Sequence, residues 1–355
     1  MHLDAFERFS EIDKSGMLAE IDGLPAQLRA AWDLAFSLPM PDLAGVDRVV
    51  IAGMGGSAIG ADLLAAYARD TLSFPLVVWR DYDLPAWARG SNTLVIASSH
   101  SGNTEETLSA FTAGHERGCR LLAVTRGGRL AQLADEYGAP TWKFVHNGQP
   151  RAAVGYSFGI LLGLFVRAGW LPDQAAALEE AIAAMRSQQA KIAAQVPTAE
   201  NPAKQWALRM EGKWVAVFGS GFLEPVARRW KGQISEIAKA WAQFEFLPEA
   251  DHNTLAGLHN PKPLFENAVM VFLRADKDHP RHQLRAVLTA EAFTSAGLNA
   301  SVVDAPAGGA LAQQWAMLHL GDYISFYLAM LYETDPTPVT SIEGFKAALK
   351  AASGE

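Results

Sequence analysis

Arg48-Val49-Val50-Ile51-Ala52-Gly53-Met54-Gly55-Gly56-Ser57-Ala58-Ile59-Gly60 is the stretch that decides the fold. Five residues dominated by β-branched side chains stop at glycines, and a stretch of helical composition, 58–69, follows. An apolar run that does not alternate with polar residues predicts a strand buried on both faces, as in a parallel sheet covered by helices. The same grammar continues outward. Strands are expected at 75–79, 93–97, 121–125 and 142–145, with helices at 104–116 and 130–137 between them. Residues 1–40 read as helical, and 152–166 as a buried core helix. Ala-rich 173–195 has a helical pattern, and Pro197 and Pro202 mark 196–203 as a linker. The alternation then restarts with a strand at 214–218, the turn Gly219-Ser220-Gly221 and a helix at 224–241. Further strands are expected at 244–247, 268–273 and 300–303, with helices at 281–295, 311–331 and 342–350.

Two strand–glycine–helix units, 48–69 and 214–235, suggest duplication of one α/β unit. A length of 355 residues suits two domains at about 100–200 residues each. The expected organisation is 1–195 for the N-terminal helices and first domain, and 204–355 for the second domain and terminal helix. A chain that is 50% apolar and 19% charged has material for real cores, which excludes a disordered or fibrous class. A net charge of −8 argues against nucleic-acid and anionic-membrane partners. Cys119 is the one cysteine, which fits a reducing compartment. The N-terminal residues lack a signal-peptide pattern, and no uncharged run reaches the ~20 residues of a membrane span. A cytoplasmic location is therefore expected.

Two loops carry chemistry. In 53–60 the glycines allow close backbone approach, and the helix start offers free N–H groups to an anion. The P-loop lysine is missing, and a loose dinucleotide spacing or a tight structural turn stays open for this loop alone. The second loop, Ser98-Ser99-His100-Ser101-Gly102-Asn103-Thr104, also lies between strand and helix. Ser101 or Thr104 as a helix cap is the plain alternative. The density of hydroxyls exceeds what one cap requires and predicts a phosphate cradle, to which Arg151 at a helix start can add a charged donor. Glu236 and His252 are residue types suited to proton transfer, but on the residues alone the structural reading prevails, since a helical Glu near Lys239 is usually a surface pair and a lone His is more often structural. HxH, HExxH and CxxC are absent, and His279 and His282 beside Asp276 and Asp278 read as a solvated loop.

The motifs GMGGSAIGADLL (53–64), SHSGNTEETL (99–108), PRAAVGYSFG (150–159), GSGFLEPVARRWKGQISEIAK (219–239), LPEADHN (247–253), GDYISFYLA (321–329) and DPTPVTSIEGFK (335–346) together resemble a known family. The chain resembles the sugar isomerase (SIS) superfamily, specifically its bifunctional phosphoglucose/phosphomannose isomerases. The resemblance implies two tandem SIS domains, each a mostly parallel sheet flanked by helices. It implies interconversion of glucose 6-phosphate and mannose 6-phosphate with fructose 6-phosphate, without metal or cofactor. It places the phosphate cradle on Gly56, Ser57, Ser99, Ser101 and Thr104 and a positioning arginine on Arg151. It assigns the base to Glu236, the ring-opening histidine to His252 and an assisting lysine to Lys346, or to Lys350. It also implies a homodimer in which His252 serves the partner's site. The chain departs from relatives at His100, where Tyr is usual, and at Ser235 and Ile237 around the base, where Asn is usual. The competing classes are a glucosamine-6-phosphate-type isomerase and a non-catalytic sugar-phosphate sensor. The former lacks the PExxHN block, and the latter carries a helix-turn-helix module for which ~40 N-terminal residues are too few.

Overall fold

Two short helices, Met17–Asp22 (α1) and Leu24–Ser37 (α2), precede the first sheet in the computed structural model, which describes residues 2–353. Met1, Gly354 and Glu355, at the outer ends of the expected domain ranges, lie outside the described residues. The first sheet is built from Arg48–Ala52 (β1), Gly55–Ala68 (α3), Leu76–Trp79 (β2), Thr93–Ser99 (β3), Glu105–Glu116 (α4), Arg120–Thr125 (β4), Gly128–Glu136 (α5) and Thr141–Lys143 (β5). Its strands are parallel in the order β2-β1-β3-β4-β5. β3 is buried along its whole length, which accounts for its unbroken apolar pattern.

Val154–Arg167 (α6), Ala175–Ile192 (α7) and Pro202–Met210 (α8) lead into a second sheet. It comprises Trp214–Ser220 (β6), Glu224–Ile237 (α9), Ala242–Leu247 (β7), Lys262–Phe265 (α10), Ala268–Arg274 (β8), Pro280–Ser295 (α11) and Asn299–Asp304 (β9). These strands are also parallel, in the order β7-β6-β8-β9. Ala310–Leu331 (α12) and Thr340–Ser353 (α13) close the chain. The inner strands of the two sheets correspond, β1 to β6 and β3 to β8, so the duplication expected from sequence is visible in topology.

Three local differences have physical causes. α3 begins at Gly55 rather than at residue 58, so Ser57 sits in its first turn. Pro202 opens a helix instead of closing a linker, because the Asn201 side chain accepts the N–H groups of Ala203 and Lys204, and proline suits a first helical position. α9 stops at Ile237, not 241, because Lys239 takes a left-handed φ of 54° and turns the chain into β7.

The two sheets share one core. A single cluster of buried apolar side chains runs from the N-terminal helices through α6 and α7 to α9 and α12. α12 is buried from Leu311 to Met330, with no solvent-facing side. Among the described residues, no helix is long and apolar enough to cross a membrane.

α9 is fastened to α12 by a buried ion pair. Arg229 Nε and Nη2 donate to the two oxygens of Asp322 at 3.0 and 2.6 Å, and Gln233 Nε2 donates to Asp322 Oδ1 at 3.0 Å. Next to it, the Trp230 indole N–H donates to the carbonyl of Met317 at 2.8 Å, and a Cβ on Gly321 would collide with that indole. Asp322→Ala strands the Arg229 guanidinium without its partner and is expected to cost about 3–5 kcal/mol. Urea denaturation of the wild type and the variant measures this. A loss under about 1 kcal/mol contradicts the role given to the pair.

Candidate active site

The sheet order places the carboxyl ends of β1 and β3 side by side at the point where strand order reverses, the usual ligand position in an open α/β sheet. The glycine turn and the hydroxyl turn therefore touch. A Cβ on Gly53 would lie 2.8 Å from the carbonyl of Ser98. The backbone N–H of His100 donates to Ser57 Oγ at 3.1 Å. Ser99 Oγ lies 3.0 Å from Thr104 Oγ1 and accepts the Gly102 N–H at 3.1 Å, while Ser101 Oγ accepts the Asn103 N–H at 3.2 Å. Thr104 is the N-cap residue of α4, but its side chain makes no capping hydrogen bond. Ser57, Ser99, Ser101 and Thr104 are thus gathered at two helix N-termini, a suitable setting for a phosphate.

Gly56 brings the third piece into contact. A Cβ there would collide with the carbonyl of Pro150, and the Gly56 carbonyl accepts the Ser157 hydroxyl at 3.1 Å. Arg151 follows, 2% exposed. Its Nη2 donates to the carbonyls of Pro336, at 2.7 Å, and Thr337, and its Nη1 lies 3.7 Å from Glu236 Oε2. Its Nε is buried without a partner among the described residues. Burial pulls the guanidinium pKa below its usual value, and the Glu236 charge opposes that shift.

Arg229, Gln233 and Glu236 stand at helical i, i+4 and i+7 positions on one face of α9, so the pair with Asp322 also fixes Glu236. The Arg151 carbonyl accepts from Arg229 Nη2 at 3.1 Å, which joins the two segments directly. Gly56, Arg151 and Glu236 line one cavity of about 500 Å³ together with Arg80, Arg228 and Gln233. Glu236 is partly exposed, so its carboxylate is accessible from the cavity. Its second neighbour is a cleft lined by Lys239, Asp335 and the first turn of α13.

The remaining expected residues stand apart. His252 ends a short 3-10 turn, Glu249–His252, is exposed, and does not line the Glu236 cavity. Lys346 and Lys350 are exposed on α13, and neither lines that cavity or the neighbouring cleft. His282 Nδ1 contacts Asp278 Oδ1 at 3.1 Å, and His279 Nδ1 accepts the Arg281 N–H. Among the described residues, no group of three His, Cys, Asp or Glu side chains is placed to hold a metal. Burial pushes the Cys119 thiol up, which keeps it a poor nucleophile.

Several residues were not singled out from the sequence. Asp62 accepts from Arg80 and, at 3.3 Å, from Arg228, tying the first-sheet side of the cavity to α9. Only the packing of α3 on α9 brings these three together. Lys239 does not pair with the Glu236 carboxylate. Its ammonium donates to the Glu236 carbonyl and, at 3.2 Å, to the Pro336 carbonyl.

Local desolvation around that ammonium, then the Arg151 charge, pushes the Lys239 pKa down to about 8, with Asp335 and Glu236 opposing. An unfolded lysine titrates near 10.4. Between these values the unfolded chain binds more protons, so this group makes stability rise as pH increases from about 8 to about 10.5. Lys239→Met should flatten that part of the wild-type curve. Melting temperatures of both proteins across the alkaline range check it, and parallel curves contradict it.

The two parallel sheets flanked by helices are the architecture of the SIS class. A family model described as "Bacterial phospho-glucose isomerase C-terminal SIS domain" matches residues 199–349. The chain is 38% identical over 332 residues to the bifunctional phosphoglucose/phosphomannose isomerase of Caldicellulosiruptor bescii, covering 93% of this chain and 98% of that protein. It is 32% identical to the protein of the same name from Aquifex aeolicus, covering 87% and 92% of the two chains. In fold it is similar to a glucose-6-phosphate isomerase like protein from Thermus thermophilus, with a TM-score of 0.63, 21% identity and 95% and 98% coverage. The chain belongs to the family of bifunctional phosphoglucose/phosphomannose isomerases.

Proposed function

We propose that this protein interconverts glucose 6-phosphate and mannose 6-phosphate with fructose 6-phosphate. The observation that carries this assignment is the meeting, in one cavity, of Glu236 and Arg151 with the glycine turn that leads into the hydroxyl cradle. Family membership along nearly the whole chain supports it. The organisation into an N-terminal domain, 1–195, and a second domain, 204–355, is part of the same proposal, as is a cytoplasmic setting.

The ester phosphate sits among Ser57, Ser99, Ser101 and Thr104 and the N–H groups that begin α3 and α4. Neutral donors suffice for a dianion there, so the acidic net charge is no obstacle. Arg151 anchors the sugar end and holds its charge beside Glu236. After ring opening, Glu236 takes the proton from carbon 2 and returns it to carbon 1 through a cis-enediol, giving the ketose. Donors around the cavity stabilise the enediolate oxygen. Rotation of the open chain presents either face of carbon 2, which admits both aldoses.

His252 and Lys346 carry out ring opening by moving protons between the ring oxygen and the carbon 1 hydroxyl. In a single chain both are exposed, and neither lines the cavity that holds Glu236. The proposal therefore includes a homodimer in which His252 of each protomer completes its partner's site.

Glu236→Gln keeps the size of the side chain and removes the base. Turnover and solvent-deuterium exchange into fructose 6-phosphate should fall by about 10³-fold or more, with substrate affinity within a few-fold. Wild-type turnover in that variant removes Glu236 from the mechanism. The shared-site arrangement has its own check. Glu236→Gln and His252→Ala homodimers are each inactive, yet mixing and subunit exchange should generate heterodimers with one intact site and measurable activity. Continued inactivity after demonstrated exchange places His252 in its own protomer's site, and an active His252→Ala homodimer places it outside catalysis.

A further inference from the structure

Behind the hydroxyl cradle lies a chain of three titratable groups that the mechanism does not use. His100, between Ser99 and Ser101, is buried, and its Nε2 lies 3.0 Å from Nδ1 of His146, also buried. His146 Nε2 lies 3.0 Å from Glu20 Oε2 on α1. The His100 ring packs on Phe144 and the His146 ring on Tyr156. A Cβ on Gly148 would collide with the Glu20 carboxylate, so glycine lets the segment leading to Arg151 cross over the chain of rings. The three groups thereby connect the cradle loop, the Arg151 segment and the N-terminal helices.

We propose that Glu20 and the buried His146 and His100 form a brace that positions the phosphate-binding loop and takes up a proton when a phosphate ester binds. The proposal rests on the assignment of the cradle as the phosphate site.

The hydrogen-bond directions follow from the acceptor at one end. An ionised Glu20 only accepts, so His146 carries its proton on Nε2 and offers a lone pair on Nδ1. His100 must then donate from Nε2, which leaves its Nδ1 unprotonated. Among the described residues, no hydrogen bond engages that Nδ1. One added proton reverses the order. His146 becomes a double donor, to Glu20 and to His100 Nε2, and the proton of His100 shifts to Nδ1. Solvent supplies one proton, and no other group changes. The added charge belongs on His146, next to the carboxylate. Burial, then the nearby His146 and Arg126 charges, pushes the His100 pKa down to about 4. The charged or titratable groups facing the brace are Glu20 from α1, Arg126 from the turn after β4 and Tyr156 from α6. A positive charge on His146, one hydrogen bond behind the loop that carries Ser99 and Ser101, favours a dianionic ester, and by reciprocity the ester favours the proton.

The probe is sorbitol 6-phosphate, which has no carbonyl to isomerise. Calorimetric titration of the full-length wild type and Glu20→Gln, at neutral pH in buffers of different ionisation heat, measures protons taken up per site. The ligand's own phosphate titration cancels in the difference. The wild type should take up more protons than Glu20→Gln by about 0.3 or more, while affinities differ less than about threefold, because the amide oxygen still accepts from His146. His146→Ala should weaken binding about tenfold with kcat within about twofold, the mark of a positioning residue. Nitrogen-15 spectra of the histidines should show His100 passing from the Nε2–H to the Nδ1–H tautomer on ligand addition. Equal proton uptake in the wild type and Glu20→Gln, or an unchanged His100 tautomer, overturns the proposal. Proton uptake with no isomerase turnover would overturn the catalytic assignment alone. Turnover with equal uptake would overturn only the brace.

Discussion

The site depends on the buried pair between Arg229 and Asp322. A guanidinium and a carboxylate withdrawn from water contribute little net stability, because their desolvation offsets most of their attraction. They are nonetheless demanding about geometry, since either one left alone is costly. Both oxygens of Asp322 and a donor from Gln233 are engaged. α9 therefore has one rotation and one depth relative to α12. Glu236, one helical turn past Gln233, inherits that placement, and Arg151 is tied to the same arginine through its carbonyl. The position of a carboxylate in the cavity is thus decided by an ion pair whose arginine lines the same cavity and whose carboxylate comes from α12.

The first sheet adds a second constraint. The anion site proposed there consists of neutral donors crowded together by glycines that allow no side chain. Gly56 meets the Pro150 carbonyl and Gly53 the Ser98 carbonyl, so the cradle and the arginine segment are held at backbone distance. Where backbones touch, little rearrangement is available, and hydroxyls gathered there need no folding of a lid to converge.

Much of this was legible in the sequence. Strands buried on both faces must be continuously apolar, so β1, β3, β6 and β8 announced themselves and with them the parallel sheets. Ser99, Ser101 and Thr104 stood out in the sequence because their hydroxyls exceed what a cap uses, and the fold brings Ser99 and Thr104 within 3.0 Å of each other. Arg80, Arg228 and Gln233 were not, since each is an ordinary residue until α3 packs on α9. His146 was equally silent: its partners lie 46 and 126 residues away. α8 was hidden because a proline after a polar residue marks a linker and a helix start alike, and only the Asn201 side chain distinguishes them. His252 read mainly as structural until the resemblance gave it a role, Lys346 came from the resemblance alone, and the folded chain leaves both on its surface.

The burial of α12 bears on how such a protein changes over generations. A helix enclosed along its length by helices of both halves, α7 from the first and α8 and α9 from the second, has no face turned to water, so neither half can be shed or exchanged without exposing it. Fusion of two similar units is reversible while they merely sit side by side. Once they share a central helix it becomes a ratchet, and later variation is channelled into surface loops, strand ends and the terminal helix.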